Sequence, residues 1–545
     1  MLKAALYIAL GAGLLGCGGG QKTEQEFTVL LRMMPAQQRF FEQEIVAKFN
    51  KEHNCRISVA SFTDQWDIER FLKLDAGKKK PEIGLVKVPF EVTRVLAYKG
   101  YMLPLTKAVD SAKAMMDLAE YHQLASALGY IDGVPYYIPR KLETRILFYR
   151  KSMVADAIAK FPSHQKRISE ELKKQNGFGL PAGYALEKDP NRWDLYDLYV
   201  VGSIWANESY NGTKMPRIAH RGARYEGTAL DIVDKALQMG ASHKDILTLG
   251  DATAKSLIWE SAFVRNGLFN PGMWQDPWRG ANLYNAIKDG KVFLTYLQQI
   301  DCFNVHGWPD DPGMPAYIPD VNDMGLALVP KAVSFELDAS GKEAFEGTRS
   351  ISTGGWWWGI PATSPNPKLA YEFARYITSK ANQALECSKF GMIPVRKDIL
   401  LKLPEVFPEG WVGEIFKTSV DQVAANSLAT VPLIKEYTQV AQNLIDAWYA
   451  LCVEFDPKKS GTMALSLMKS LLAKDFLPKQ KQILGSEFPA SEEPKQSAAV
   501  GEKAAPVTAG ADSTAAKPEA VQKPVPAENP ATKENSEKQD KPNPE

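Results

Sequence analysis

The chain reads as an α/β protein whose mostly parallel sheets are covered by helices. Three observations predict this. Apolar runs of strand length alternate with helical repeats from residue 27 to 100. The same alternation recurs further along. The composition, 45% hydrophobic and 24% charged over 545 residues, is an ordinary globular balance with enough length for two domains.

Taken in order, the first residues read as an export signal. Lys3 supplies a positive start, and Ala4 to Leu15 form an uncharged, mostly apolar run. A run of about 12 residues is too short to cross a hydrocarbon core that needs roughly 20. Leu14-Leu15-Gly16-Cys17 follows it and resembles the lipobox of bacterial lipoproteins, which implies cleavage after residue 16 and lipid on Cys17. Two or more acyl chains would hold the mature chain stably on a membrane while its body stays in water. Residues 17–26 then form a linker.

The body opens with a strand at Phe27–Leu31, and Phe40, Phe41, Ile45, Val46 and Phe49 follow at helical spacing. A second strand at Arg56–Ser61, a helix from about Trp66 to Ala76, a strand at Ile83–Val88 and a helix closed by Gly100 complete a βαβαβα unit. Parallel sheets bind ligands beyond the carboxyl ends of their strands. That rule nominates three loops, Arg32–Gln38, Phe62–Trp66 and Lys87–Phe90. Further on, Asn366 can cap a helix that has Pro367 at its first position and Leu369, Phe373 and Ile377 along one face. After Phe488 the chain contains no Phe, Trp, Tyr, Leu, Ile or Met, so residues 489–545 read as a disordered Pro/Ala/Lys/Glu-rich tail.

Composition also excludes. Lys plus Arg at 65 against Asp plus Glu at 64 leaves no field to attract nucleic acid. The six histidines lie far apart, with no pair one helical turn from another, so no metal is expected. Cys55, Cys302, Cys387 and Cys452 have spacings that identify no disulfide framework, and burial as small hydrophobes is the default. An exported hydrolase is the alternative of another class, but no G-x-S-x-G, H-E-x-x-H or P-loop pattern occurs.

Four stretches carry a resemblance. They are Pro81-Glu-Ile-Gly-Leu-Val86 with Leu103-Pro-Leu105; Asp132-Gly-Val-Pro-Tyr-Tyr-Ile-Pro139 with Tyr149-Arg-Lys151; Lys288-Asp-Gly-Lys-Val292 leading into Phe293–Leu297; and Gly354-Gly-Trp-Trp-Trp-Gly-Ile-Pro361 with Asn366–Phe373 and Gly391–Arg396. In this order the chain resembles the extracellular solute-binding proteins of ABC importers, in the sugar-binding group that includes maltose-binding protein. The resemblance implies a two-lobed fold with a hinge, a ligand held between the lobes, no catalysis and no cofactor. The last three stretches would be the first, second and third crossings between lobes. Lobe one would be 27–138 plus 298–352, and lobe two 139–297 plus 353–488. The implied partners are a small polar solute, a sugar before a peptide or polyamine, and the membrane subunits of a permease; the protein would act as a monomer.

A pyranose offers an apolar CH face and a rim of hydroxyls, so aromatic rings and planar polar groups bind it together. Trp356, Trp357 and Trp358 at the third crossing are candidates for stacking, with Trp356 and Trp358 on one side of an extended chain and Trp357 on the other. Glu143 has the spacing of a sugar-contacting glutamate in the maltose-binding branch, a role the resemblance implies. Arg140, Lys141 and Arg145 make that crossing basic, which leaves room for an acidic sugar. Arg32 and Gln38 in the first loop, and Asp64, Gln65 and Trp66 in the second, complete the candidate set.

Overall fold

The computed structural model describes residues 25–63, 67–210, 213–214, 217–308, 316–402, 407, 409–426, 429–455 and 464–489. The expected signal, Cys17, most of the linker, the Asp64-Gln65-Trp66 stretch and the tail lie outside them. The described residues form one compact unit.

Two sheets organise it. The strands that build them are β1 (Gln25–Leu31), β2 (Cys55–Ser61), β3 (Ile83–Pro89), β4 (Tyr137–Glu143), β5 (Arg145–Arg150), β6 (Leu294–Gln298), β7 (Met324–Ala327) and β8 (Gly354–Gly359). The first sheet has the order β2-β1-β3-β8-β4. β1 runs parallel to β2 and β3, while β8 lies antiparallel between β3 and β4. In the second sheet β6 and β7 flank β5, both antiparallel to it. Its parallel component comes from Ile218, which bridges Leu294 and Phe269.

Central position explains β3. All seven of its residues are buried, because helices cover both faces and no side is left for water. Gly84 is required there: a Cβ would stand 2.4 Å from the Phe27 ring of the neighbouring strand. On one face Phe27, Val29 and Leu31 meet Leu85, Trp358 and the helical residues Phe41, Ile45, Phe49 and Phe373; Leu30, Val86, Val88 and Trp357 point into the other core. The helix Pro367–Ile377 forms as its sequence predicts, with Asn366 Oδ1 accepting the Leu369 N–H at 3.1 Å and Leu369, Phe373 and Ile377 buried. Gly100 closes its helix at φ +74°. Cys55, Cys302, Cys387 and Cys452 are buried free thiols.

The division between sheets departs from the expected lobes. Residues 354–359, assigned to lobe two, are built into the first sheet, and 324–327, assigned to lobe one, pair with β5 in the second. The expected second crossing at 293–297 stays within the second sheet as β6. The chain passes between sheets at Thr144, where β4 gives way to β5, and just ahead of Gly354. Local patterning marks these segments as strands but does not choose their partners, which lie up to about 270 residues away in sequence.

Both passages are fastened to one side chain. Asn426, fully buried, donates through Nδ2 to Thr144 Oγ1 at 3.0 Å and Thr353 Oγ1 at 2.8 Å. Its Oδ1 accepts from the Ile351 N–H at 3.2 Å and from Gln422 Nε2 at 2.8 Å. Asn426→Ala removes these partners while leaving buried groups unpaired. It should lower unfolding free energy by roughly 2–4 kcal/mol, measured by urea titration.

Candidate functional site

Strand direction concentrates polar groups on one edge of the first sheet. β1, β3 and β4 end there with Arg32, Lys87 and Lys141 to Glu143, and the antiparallel β8 begins there with Trp356. This is the carboxyl edge, where ligands of parallel sheets bind. The pairing of β8 with β4 slips by one residue between Trp356 and Trp357, which makes Arg140 the extra residue of a bulge. Gly355 at φ +149° permits it, since a Cβ would lie 2.1 Å from the Lys141 carbonyl oxygen.

The Lys87 Nζ donates to the Arg32 carbonyl oxygen at 2.6 Å and stands 4.0 Å from the centroid of the Trp356 ring, a cation–π contact. Trp356 Nε1 donates to Glu143 Oε1 at 3.2 Å, and Lys141 closes a tight ion pair with the same oxygen. Trp356 is half-buried and the Glu143 side chain keeps 15% of its exposure, so both remain reachable from solvent. Burial pushes the Glu143 carboxyl up, but Lys141, Lys87 and the Trp356 N–H outweigh it and hold the group below its ordinary range. Burial, with Arg140 and Lys141 beside it, pushes the Lys87 ammonium well down.

Of the other residues nominated by sequence, Trp357 and Trp358 are not at this edge but in the core. Trp357 packs against Phe90 and donates to the Ala125 carbonyl at 2.9 Å; Trp358 stacks on Phe41. Helices on both faces of the sheet bury each side of β8 once it leaves the edge. Arg140 is likewise interior, ion-paired with Glu386, 5.7 Å from the Trp358 ring and fixed by Gln383 on its carbonyl oxygen. Its role there is to anchor the helix Lys380–Phe390. Gln38 spends its amide on Glu42 and Ser61, and Arg32 is exposed at the rim. Arg145 belongs to the second sheet and pairs with Asp234, which also accepts from Ser352. The cavity around Arg145, Asp234 and Tyr296 has room for about one water, far below the volume of a sugar ring.

Sequence reasoning reached Lys87 only as the first residue of the third nominated loop and gave it no role of its own, although a signal was present: one cation inside the otherwise apolar run Ile83-Gly-Leu-Val-Lys-Val-Pro89. It missed Glu91, in the single turn that follows β3. Burial, with Glu226 and Glu143 nearby, pushes the Glu91 carboxyl up to about 7 from an ordinary 4.5. A carboxyl raised on folding binds its proton more tightly in the native state, so stability falls as pH rises through the window from 4.5 to about 7. Glu91→Gln should remove that slope, raising the melting temperature at pH 8 more than at pH 5 in scanning calorimetry.

Among the described residues, no helix is long and apolar enough to cross a membrane and no three ligating side chains gather as a metal site. Solved structures share the fold. The GacH receptor of Streptomyces glaucescens, studied unliganded and with acarbose, is 18% identical at a TM-score of 0.56, with 83% of this chain and 100% of that one covered. Maltose-bound MalE3 of T. maritima is 15% identical at 0.59, covering 84% and 100%. A solute-binding protein of an ABC transporter from Thermotoga lettingae, bound to α-D-tagatose, is 16% identical at 0.58, covering 85% and 100%. At such identities the likeness establishes the architecture, two lobes about a hinge. A family model described as bacterial extracellular solute-binding protein matches residues 44–411. That match takes in the first sheet except β1, both passages between the sheets and the second sheet; the chain belongs to the bacterial extracellular solute-binding proteins, an exported family that binds solutes rather than transforming them.

Proposed function

We propose that the chain is the receptor of an ABC importer, capturing a carbohydrate between its lobes and delivering it to the permease. The observation that supports this reading best is the half-buried Trp356 indole held against the Glu143 carboxylate at the carboxyl edge of the first sheet. An aromatic plane beside a fixed carboxylate is the pair of surfaces a pyranose needs, one for its CH face and one for its hydroxyls. Several solved structures of the same fold hold sugars, among them maltose and tagatose. Arg32 at the rim would add a donor, and Asp64, Gln65 and Trp66 remain candidates from the second loop. The lobes close on the solute because it contacts both, and only such differential contact can shift a hinge equilibrium.

The receptor is held at the membrane by lipid on Cys17 after removal of residues 1–16, works as a monomer beside its permease at the cytoplasmic membrane, and needs no cofactor. Tethering raises its concentration at the transporter entrance.

A thermal-shift screen against sugars, sugar acids and polyols tests the binding reading. A ligand at about 100 times its dissociation constant adds roughly 2.7 kcal/mol to stability. Trp356→Ala should abolish the shift and leave the unliganded melting temperature nearly unchanged. No shift with any carbohydrate, together with a clear one for a peptide or amine, would overturn the sugar assignment. Cys17→Ser should move the protein from the membrane pellet to the soluble fraction; retention in the pellet contradicts the lipid anchor.

A further inference from the structure

Lys87 is a buried amine with no ion pair of its own. Its residue is 3% exposed, and no carboxylate of the described residues comes within ion-pairing distance of its Nζ. The charges around it come from two elements. Arg140 and Glu386 neutralise each other, and so do Lys141 and Glu143. From β1 it receives only a backbone carbonyl, and from β8 only the face of an indole. A buried cation without a counter-charge is costly, which is why such groups normally carry a partner. An ammonium has three donors. One is used by the Arg32 carbonyl and one is directed at the Trp356 ring, so one is left over beside the residue that the proposed function gives to the sugar.

We infer that the bound solute is a monoanionic carbohydrate, a sugar carrying one carboxylate, and that Lys87 is the residue that selects for it. This deepens the proposed function and rests on it. The balance of charge favours a carboxylate over a phosphate ester. One unpaired cation offsets one negative charge, whereas a phosphate brings about 1.5 to 2 at neutral pH. Glu143 does not repel the anion, because Lys141 neutralises it, and its free lone pairs remain available to sugar hydroxyls.

Proton linkage follows. In the unliganded site burial disfavours the charged amine. An incoming carboxylate restores the charged form, so binding takes up protons and weakens as pH rises.

Isothermal titration of the purified protein with galacturonate and glucuronate, alongside galactose and glucose, decides the matter. Repeating it in buffers of different ionisation enthalpy counts the protons. The inference requires that a uronate bind more tightly than its neutral parent by roughly tenfold or more, with net proton uptake. Lys87→Met should remove that preference and the proton uptake together. Its unliganded melting temperature should stay level or rise, since a buried amine with no ion pair of its own gives way to an apolar side chain of similar length. If neutral sugars bind as well as or better than uronates, the selectivity of Lys87 is refuted while carbohydrate binding stands. If no sugar of either kind binds, in this set or in the broader screen, the proposed function falls with it. If Lys87→Met lowers the unliganded melting temperature and weakens all sugars alike, Lys87 is a structural residue and the inference fails.

Discussion

The structure depends on the fastening of two chain passages to each other. The chain leaves the first sheet at Thr144 and returns just before Gly354, and these places are neighbours only because β8 inserts between β3 and β4. Asn426 fixes both hydroxyls, and through Gln422 and Ile351 it reaches the segments on either side. The arrangement suits a hinge. Rotation at a few backbone bonds is permitted, while the separation of the two passages is held by hydrogen bonds that water cannot replace in a buried site.

The same insertion builds the candidate site. An antiparallel strand starting at the carboxyl edge places its first residues among the last residues of its parallel neighbours. Trp356 therefore meets Lys87 and Glu143, while the next two tryptophans run down into the core. Electrostatics then separates two kinds of charge. Arg140 with Glu386 is a closed pair, shielded and structural; Lys87 is buried without an ion pair of its own. On the second sheet Glu260 plays the closing role, receiving Lys235, His220 and the Trp448 N–H, and so joins the helices Glu226–Gln238, Asp251–Arg265 and Tyr437–Trp448.

Much of the first sheet was legible in the sequence. Its three leading strands and their helices obey local periodicities, and the Asn366 cap and Gly100 terminus are set by one or two residues each. The partition of later segments was not legible. β8 reads as a strand from its own residues, but its place between β3 and β4 depends on contacts across most of the chain. For the site, alternation failed at the register slip between Trp356 and Trp357: Trp356 packs with Trp357 against one core, and Trp358 lies in the other. It could not show that Trp358 lies deeper than Trp356, because depth along a strand depends on where the covering helices end. Glu143 emerged from motif spacing; Lys87 emerged only as the start of a nominated loop, without a role, because a single cation in an apolar strand looks like an imperfection until its burial is seen.

The four thiols of the described residues are distributed as though to report on separate parts of the molecule. Cys55 lies at the start of β2, Cys302 and Cys387 in helices after β6 and after Pro367–Ile377, and Cys452 beyond Tyr437–Trp448. Cys302, Cys387 and Cys452 are sealed while Cys55 keeps 9% exposure, and burial pushes each thiol up, so none reacts readily while the fold is intact. A thiol reagent therefore acts as a clock. The order in which the cysteines become modified ranks the free energies of local opening across both sheets and the C-terminal helices, without any change to the sequence.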